Sequence, residues 1–469
     1  MKLFPSINKP VQPVLLLLVA IAISSVCLVC GQIDDARAAA AGPLSSGNAS
    51  QHFEPTGAIA YVRNGSEIRL IDSTGGNDRK IWSHPNAKQP FGIFDLAWRP
   101  DGGELAFSSG HENMFSIYHA DLYCIRPDGS GYRKITNAPD HKRLGSFKKG
   151  TVTITLRNTQ PIYLQAESSV GVFTVYIAGA EEPQGVVLPP GTTRTLVFKN
   201  VADYGDHPQP VVAISGHIRW MMPAVDVVAG KTIKAPDFNI QGDGYTYLGA
   251  FNPRWKSDGS RISFRDGYCL VKSVPAHSNP GYYTTSLFDE KEASLPACIW
   301  DWGPSAALSD KVLYSDAESE EGGGFHLGNE GGKHGQATLL TRYTTLKTQP
   351  NDVHWLPDGS GFLYSYFTNY FDVYHDETKK IGSNIFRYDL KTKKTTQVTN
   401  LSDGFANRFA VSPDGQWIVY EKGRLPADED VNNLWSFRTL IDIDLWMIKI
   451  DGTGERLLVK NAESPSWSR

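Results

Sequence analysis

The chain has 469 residues, 41% of them hydrophobic and 11% aromatic, with 44 Gly and 28 Pro. That proportion of apolar residues excludes a disordered chain, and so much Gly and Pro argues against a helical protein and for a turn-rich β protein. A formal net charge of −4 supplies no bulk basic field, so no nucleic-acid partner is expected.

In chain order, Lys2 and Lys9 come first, and an apolar run follows from Val14 to Val29, diluted by Ser24 and Ser25. A basic start followed by an apolar run is the pattern of a secretory signal. The run is slightly short for a membrane span, and Ala36-Arg37-Ala38 offers a small-x-small cleavage site. Cys27 and Cys30 offer a lipoprotein signal instead, although each follows a Val where a small residue is wanted. Residues 1–31 therefore read as a signal peptide or lipoprotein signal, and 32–56, rich in Ala, Gly and Ser, as a flexible linker. The expected location is the periplasm or cell envelope. A membrane tether through an N-terminal lipid or an uncleaved signal stays open, as does the lipidation of Cys27 or Cys30.

Cys124, Cys269 and Cys298 follow the leader. Cys269 and Cys298 are the expected pair, because a loop-rich stretch separates them; their disulfide state is not decided by sequence. Cys124 lies in the apolar pattern Asp121–Ile125 and reads as a buried thiol. No Cys-x-x-Cys pair remains beyond the leader, so no zinc site of that kind is expected.

The body of the chain is organised by a repeat. Trp98-Arg-Pro-Asp-Gly102, Trp255-Lys-Ser-Asp-Gly259, Trp355-Leu-Pro-Asp-Gly359 and Val411-Ser-Pro-Asp-Gly415 each precede an apolar strand pattern. Trp302-Gly-Pro is a degraded copy, and Pro465-Ser-Trp467 begins another. Pro presets φ for a turn, and Asp-Gly supplies a side-chain hydrogen bond and the position with φ > 0. Third strands are expected at Asp121–Ile125, Asn384–Tyr388 and Asp442–Ile450, and fourth strands at Tyr132–Thr136 and Thr395–Thr399. Four antiparallel strands in about 40–50 residues is the pattern of a propeller blade. Six anchors imply six blades. Gly57-Ala-Ile-Ala-Tyr-Val62 resembles the strand that should follow the turn begun at Trp467, so the last blade is expected to combine an inner strand at Trp467 with outer strands from 57 onward.

These repeats resemble those of the TolB-like β-propeller family (PD40 or WD40-like repeats), whose unit runs roughly W-S-P-D-G, strand, I-Y, G, R-x-L-T. Trp98 to Thr136 is the fullest match, and the resemblance covers about residues 57–140 and 245–469. It implies an all-β, six-bladed propeller at 57–141 and 242–469. It is weak for function, because this propeller serves periplasmic docking proteins, peptidase side domains and some lyases.

Between Trp98 and Trp255 one gap is about a small domain too long, and residues 142–241 lack the repeat. Strands are expected at Thr151–Leu156, Val172–Ile177, Thr195–Phe198, Val211–Ile214, Arg219–Met222 and Ala224–Val228. Short strands at this spacing suggest an inserted β-sandwich projecting from one rim; its role, covering, gripping or purely stabilising, is not fixed by the pattern.

The chemistry of a standard enzyme site is missing from the sequence. There is no G-x-S-x-G elbow, H-E-x-x-H pair or EF-hand loop. The repeated Asp-Gly aspartates read as turn formers rather than acids. Asp301, His326, His334, His354 and His375 fall in less regular segments. The Gly-rich stretch from Glu321 to His334 reads as a solvated loop that also has the freedom to approach a ligand. Tyr370–His375 and Asn432–Phe437 place aromatics in long loops, where they either grip a ligand or pack the loop. Asn64-Gly65 reads as a hairpin turn. No catalytic, cofactor-binding or metal-ligating residue is assigned, and no cofactor is expected. The reading is an exported, non-catalytic binding or scaffold protein, a monomer, offering the propeller face and the inserted sandwich to a protein or glycan ligand. The alternative is a polysaccharide lyase or other glycan-active enzyme, which needs His, Arg and carboxylate groups converging at one end of the channel.

Overall fold

The computed structural model divides the chain into two compact units, Met1–His52 and Phe53–Arg469. It describes residues 56–85, 92–136, 145–160, 171–205, 208–216, 218–242, 244, 248–266, 271–276, 285–286, 297–316, 323–332, 336–342, 350–368, 382–402, 404–424 and 440–468. The leader with Cys27 and Cys30, Cys269, His334, and the aromatic loops at 370–375 and 432–437 lie outside these residues, and so does the proposed Cys269–Cys298 pair.

The turns set the strand order. At Trp98–Gly102, the Gly102 N–H donates to the Arg99 carbonyl at 2.9 Å and the Gly103 N–H to Asp101 Oδ1 at 2.9 Å. Asp258, Asp358 and Asp414 accept the N–H two residues on in the same way, at 2.8, 2.9 and 3.0 Å. Gly102, Gly259, Gly359 and Gly415 hold φ between +69° and +71°, where a Cβ is strained. Asn64 and Gly65 both have positive φ, and the Ser66 N–H closes their turn onto the Arg63 carbonyl, as a type I′ hairpin requires.

Among the described residues outside 149–240, four four-stranded antiparallel sheets and one eight-stranded sheet result, the last made of two four-stranded antiparallel groups counted here as sheets 4 and 5. Sheet 1 runs outward from Ile93–Trp98 through Leu105–Ser109 and Asp121–Ile125 to Arg133–Lys134. Sheets 2 to 5 begin at Phe251–Trp255, Ala297–Trp302, Asp352–Trp355 and Phe405–Val411. Sheet 6 begins at Ala462–Trp467, which pairs with Ala58–Arg63, so it joins strands from opposite ends of the described chain. A single parallel bridge, Ser383 to Phe405, links sheets 4 and 5.

Each sheet packs its faces on both neighbours. Separate apolar layers lie between sheets 6 and 1 (Val62 on Phe107), 1 and 2 (Cys124 and Phe264), 2 and 3 (Val271 and Trp302), 3 and 4 (Phe325 and Phe362), 4 and 5 (Leu363 and Ile418) and 5 and 6 (Val419 and Trp467). The middle strands are covered on both faces, which is why Leu105–Ser109 and Asp121–Ile125 are buried at every position rather than at alternate ones. Cys124 is a free, fully buried thiol in the second of these layers, and burial pushes its pKa up to about 12.

Residues 149–240 form two further sheets. One orders Gln184–Val187, Val172–Ile177, Gln209–Ser215 and Ile218–Val225. The other sets Lys149–Asn158 between Thr193–Ala202 and Thr232–Lys234, with Phe238–Ile240 also on Lys149–Asn158. Val152, Ile154 and Phe198 of one sheet share a core with Val175, Val212 and Trp220 of the other. The two strands expected at 219–222 and 224–228 are one continuous strand, Ile218–Val225. Pro223 does not break it because the strand lies at a sheet edge, where a missing N–H costs no ladder bond. Arg219, 1% exposed, ties this strand to sheet 1 by donating to the carbonyls of Ser116 (2.8 Å) and Asn113 (2.9 Å).

Trp467 is 6% exposed in the layer between sheets 5 and 6 and donates Nε1 to the Thr56 carbonyl at 3.0 Å. Trp467→Ala is expected to destabilise the protein by about 3–5 kcal/mol, as large-to-small changes of buried aromatics do, and Trp467→Phe by less. Urea unfolding of both variants checks this.

Candidate functional site

The six inner strands surround one channel, and all but Asp352–Trp355 approach their anchors through an irregularity. Asp95, Asn252 and Ser464, three residues before Trp98, Trp255 and Trp467, have φ of +43°, +51° and +52°. The pairing register shifts at all three, and again between Ala406 and Phe409. Bulges of this kind leave backbone N–H groups outside the ladder, and a buried N–H needs an acceptor.

Carboxylates supply it, each bridging to a neighbouring sheet. Asp95 Oδ2 accepts the Asn252 N–H at 2.9 Å, and Asp352 Oδ2 the Phe409 N–H at 3.2 Å. Asp301 Oδ2 accepts the Trp355 N–H at 2.9 Å, and Glu421 Oε1 the Ser464 N–H at 2.6 Å. The second oxygens are taken too. Asp301 Oδ1 accepts the Trp302 N–H, and Glu421 Oε2 accepts from Asn407 Nδ2 and the Arg408 N–H.

Two guanidinium groups complete the set. Arg408 Nη2 meets Asp95 Oδ1 at 2.7 Å, and its Nη1 donates to Ser464 Oγ at 2.9 Å. Arg254 Nη2 meets Asp352 Oδ1 at 2.5 Å. His354 stands between two acids, with Nε2 3.3 Å from Asp352 Oδ2 and Nδ1 3.9 Å from Asp301 Oδ2.

The titration of these groups follows from their surroundings. Burial opposes ionisation of Asp352, but His354, Arg254 and the Phe409 N–H outweigh it and bring its pKa down to about 2. Glu463 has fewer compensations: burial and the charge of Glu421 raise it to about 7, against the pull of Arg408. Burial raises Glu421 as well.

At the turn end of the channel lies a cavity of about 140 Å³, with walls from all six anchors, among them Trp98, Arg254, Trp302, His354, Ser412 and Trp467. The fold is a β-propeller. The chain's own turn repeats and cycle of sheets carry that statement.

No family model and no curated protein matches the chain. Among solved structures it is similar to TolB from Acinetobacter baumannii, at 11% identity over 89% of this chain and 67% of that one, with a TM-score of 0.45. It is also similar to a putative TolB from Agrobacterium tumefaciens, at 16% identity over 44% of this chain and 79% of that one (TM-score 0.28). A chain of a nidogen/laminin complex matches at 7% identity over 88% of this chain and 99% of the other (TM-score 0.40).

Of the residues singled out in the sequence, Asp301 and His354 come together at the cavity. His326 does not join them. It lies in the strand Gly324–Asn329 and stacks on Tyr314, with ring centroids 5.5 Å apart. Part of the stretch read as a solvated loop is therefore sheet. Gly324 has Leu339 Cδ1 within 2.6 Å of where its Cβ would stand, so there Gly serves close strand packing. The Asp-Gly aspartates hold turns, away from the channel cluster. Asp95, Arg254, Asp352, Arg408, Glu421 and Glu463 were not anticipated. Counting three back from each anchor would have aligned Asp95, Asn252, Asp352, Arg408 and Ser464 in one slot, with the apolar Ile299 as the exception.

Glu463 predicts a pH dependence. Its folded pKa of about 7 lies above the ordinary carboxyl value of 4.5, so the folded state holds the proton more tightly than the unfolded. Its contribution is complete below about pH 4.5 and is lost as pH rises through 7, a decline on the order of 3 kcal/mol. Asp352 acts in a separate window, losing its contribution only as pH falls below 4 towards 2. Glu463→Gln is expected to flatten the fall in stability between pH 5 and 8, measured by urea unfolding across that range.

Proposed function

We propose that this chain is an exported, non-catalytic binding or scaffold protein, whose propeller face and inserted module are offered to a protein or glycan ligand. One observation carries the reading. Asp95, Asp301, Asp352 and Glu421 have both carboxylate oxygens engaged, largely by backbone N–H groups of their own or neighbouring sheets. Acids spent in this way hold the ring together and are poorly placed to move protons for a substrate.

The domain limits belong to the same reading: a leader over 1–31, a linker over 32–56, the propeller over 57–141 and 242–469, and the sandwich over 142–241. The shared core of the two sheets at 149–240 supports the last. The leader's composition supports export to the periplasm or envelope. No helix among the described residues is long and apolar enough to cross a membrane. We further propose a monomer, whose tether, where there is one, is at the N-terminal segment.

A second reading has its own observation. His354, Arg254, Asp301 and Asp352 do converge at the cavity end of the channel, as a polysaccharide lyase or other glycan-active enzyme requires. The two readings part in one experiment. Purified protein and His354→Ala are incubated with uronate-containing and neutral polysaccharides, and chain cleavage is followed. The binding reading expects no cleavage by either protein and retention of the wild type on an immobilised ligand. Cleavage by the wild type that His354→Ala abolishes, with unchanged thermal unfolding, would establish the enzyme instead.

A further inference from the structure

The cavity at the turn end of the channel is lined by residues whose side-chain donors lack partners. Both oxygens of the carboxylates beside it are engaged: Asp301 by the N–H groups of Trp302 and Trp355, Asp352 by Val353, Phe409, Arg254 and His354. The indoles of Trp98 and Trp255 are saturated as well, donating Nε1 to the carbonyls of Ser466 (3.1 Å) and Ala97 (3.0 Å), each one residue before the anchor of the preceding sheet. Trp355 breaks that pattern. It lines the cavity, is 4% exposed, and its Nε1 has no partner. Arg254 Nε and Ser257 Oγ, of residues that also line the cavity, are buried and without partners too.

Orphaned buried donors are rare in native proteins, and each asks for an acceptor. Three on residues lining one small cavity, beside the guanidinium groups of Arg254 and Arg99, which also face Asp352 and Asp101, mark a site for an acceptor-rich group. We propose that this cavity binds a carboxylate, belonging either to a small free acid or to the end of a longer ligand. A carboxylate is planar, accepts about four hydrogen bonds and donates none when ionised, and pairs well with guanidinium. The volume of about 140 Å³ suits a group of a few heavy atoms. A metal ion is a poorer occupant, because both oxygens of Asp301 and of Asp352 already accept hydrogen bonds. Among the described residues no three His, Cys, Asp or Glu side chains are grouped to hold one. This inference goes beyond the docking-face reading and does not depend on which macromolecule that face meets.

The walls include five tryptophans, so intrinsic fluorescence of the full chain reports occupancy. Sodium acetate is titrated, with acetamide as the neutral isostere. The expected result is a saturable change with acetate and none with acetamide. Trp355→Phe keeps the ring bulk and removes the donor, and should weaken acetate about tenfold, the usual scale for one hydrogen bond to a charged group. Ser257→Ala should weaken it less and serves alone if Trp355→Phe does not fold. Galacturonate, and a short peptide with a free or an amidated C-terminus, distinguish the sources: tighter binding than acetate by the sugar acid, or by the free peptide only, identifies which carboxylate is taken. The proposal is overturned by the absence of a saturable acetate response, by an equal response to acetamide, or by unchanged affinity in the folded variants.

Discussion

The structure depends on satisfying backbone N–H groups at the dry centre of a ring. Six inner strands must bend to surround a narrow channel, and bulges three residues before the anchors provide the bend at Asp95, Asn252 and Ser464. Each bulge strips an N–H from its ladder, and an unsatisfied one costs about 1–3 kcal/mol. Asp95, Asp352 and Glu421 recover those bonds from the next sheet. The same contacts thereby fix the angle between sheets. Charges in such a place are themselves expensive, and Arg254 and Arg408 offset that cost by pairing with Asp352 and Asp95. Glu463 has the poorest share of this pairing, which is why it is the group whose proton is held to about pH 7.

What was legible in the sequence was whatever depends on neighbours in the chain. The Trp-x-Pro-Asp-Gly turns work through contacts two or three residues apart, and so they announced their hairpins and the number of repeats. Val172–Ile177 and Asp121–Ile125 were readable to the residue, because their apolar runs are bounded by turns. The channel cluster was not readable. Arg408 meets Asp95, and Arg254 meets Asp352, across sheets far apart in sequence, and nothing local to any of these residues marks them. Gly323–His326 misled for a related reason. Glycine looks the same in a loop and where another strand leaves no room for a Cβ, and only the position of Leu339 tells them apart.

The module at 149–240 is seated by the same kind of chemistry. Arg219 reaches out of it to close the carbonyls of Asn113 and Ser116, and Phe115 packs edge-on to Tyr176 with ring centroids 6.0 Å apart. Behind this contact Lys134 is 4% exposed, held by Asp121 at 3.0 Å and Glu112 at 3.3 Å. An apolar contact tolerates sliding, whereas a buried guanidinium directed at two particular carbonyls does not. The module is therefore held on sheet 1 by directed contacts.

These features bear on each other at the cavity. A ring that uses its acids to bind backbone N–H groups has acceptors consumed and side-chain donors left over. Asp301 shows the exchange in one residue: it takes the Trp355 backbone N–H, while the indole of that same tryptophan, which in Trp98 and Trp255 finds a neighbouring carbonyl, is left without one. The donor-rich wall is thus a by-product of how the ring is stabilised. The arrangement that occupies these carboxylates with backbone N–H groups is the one that leaves the Trp355 indole donor at the cavity without an acceptor of its own.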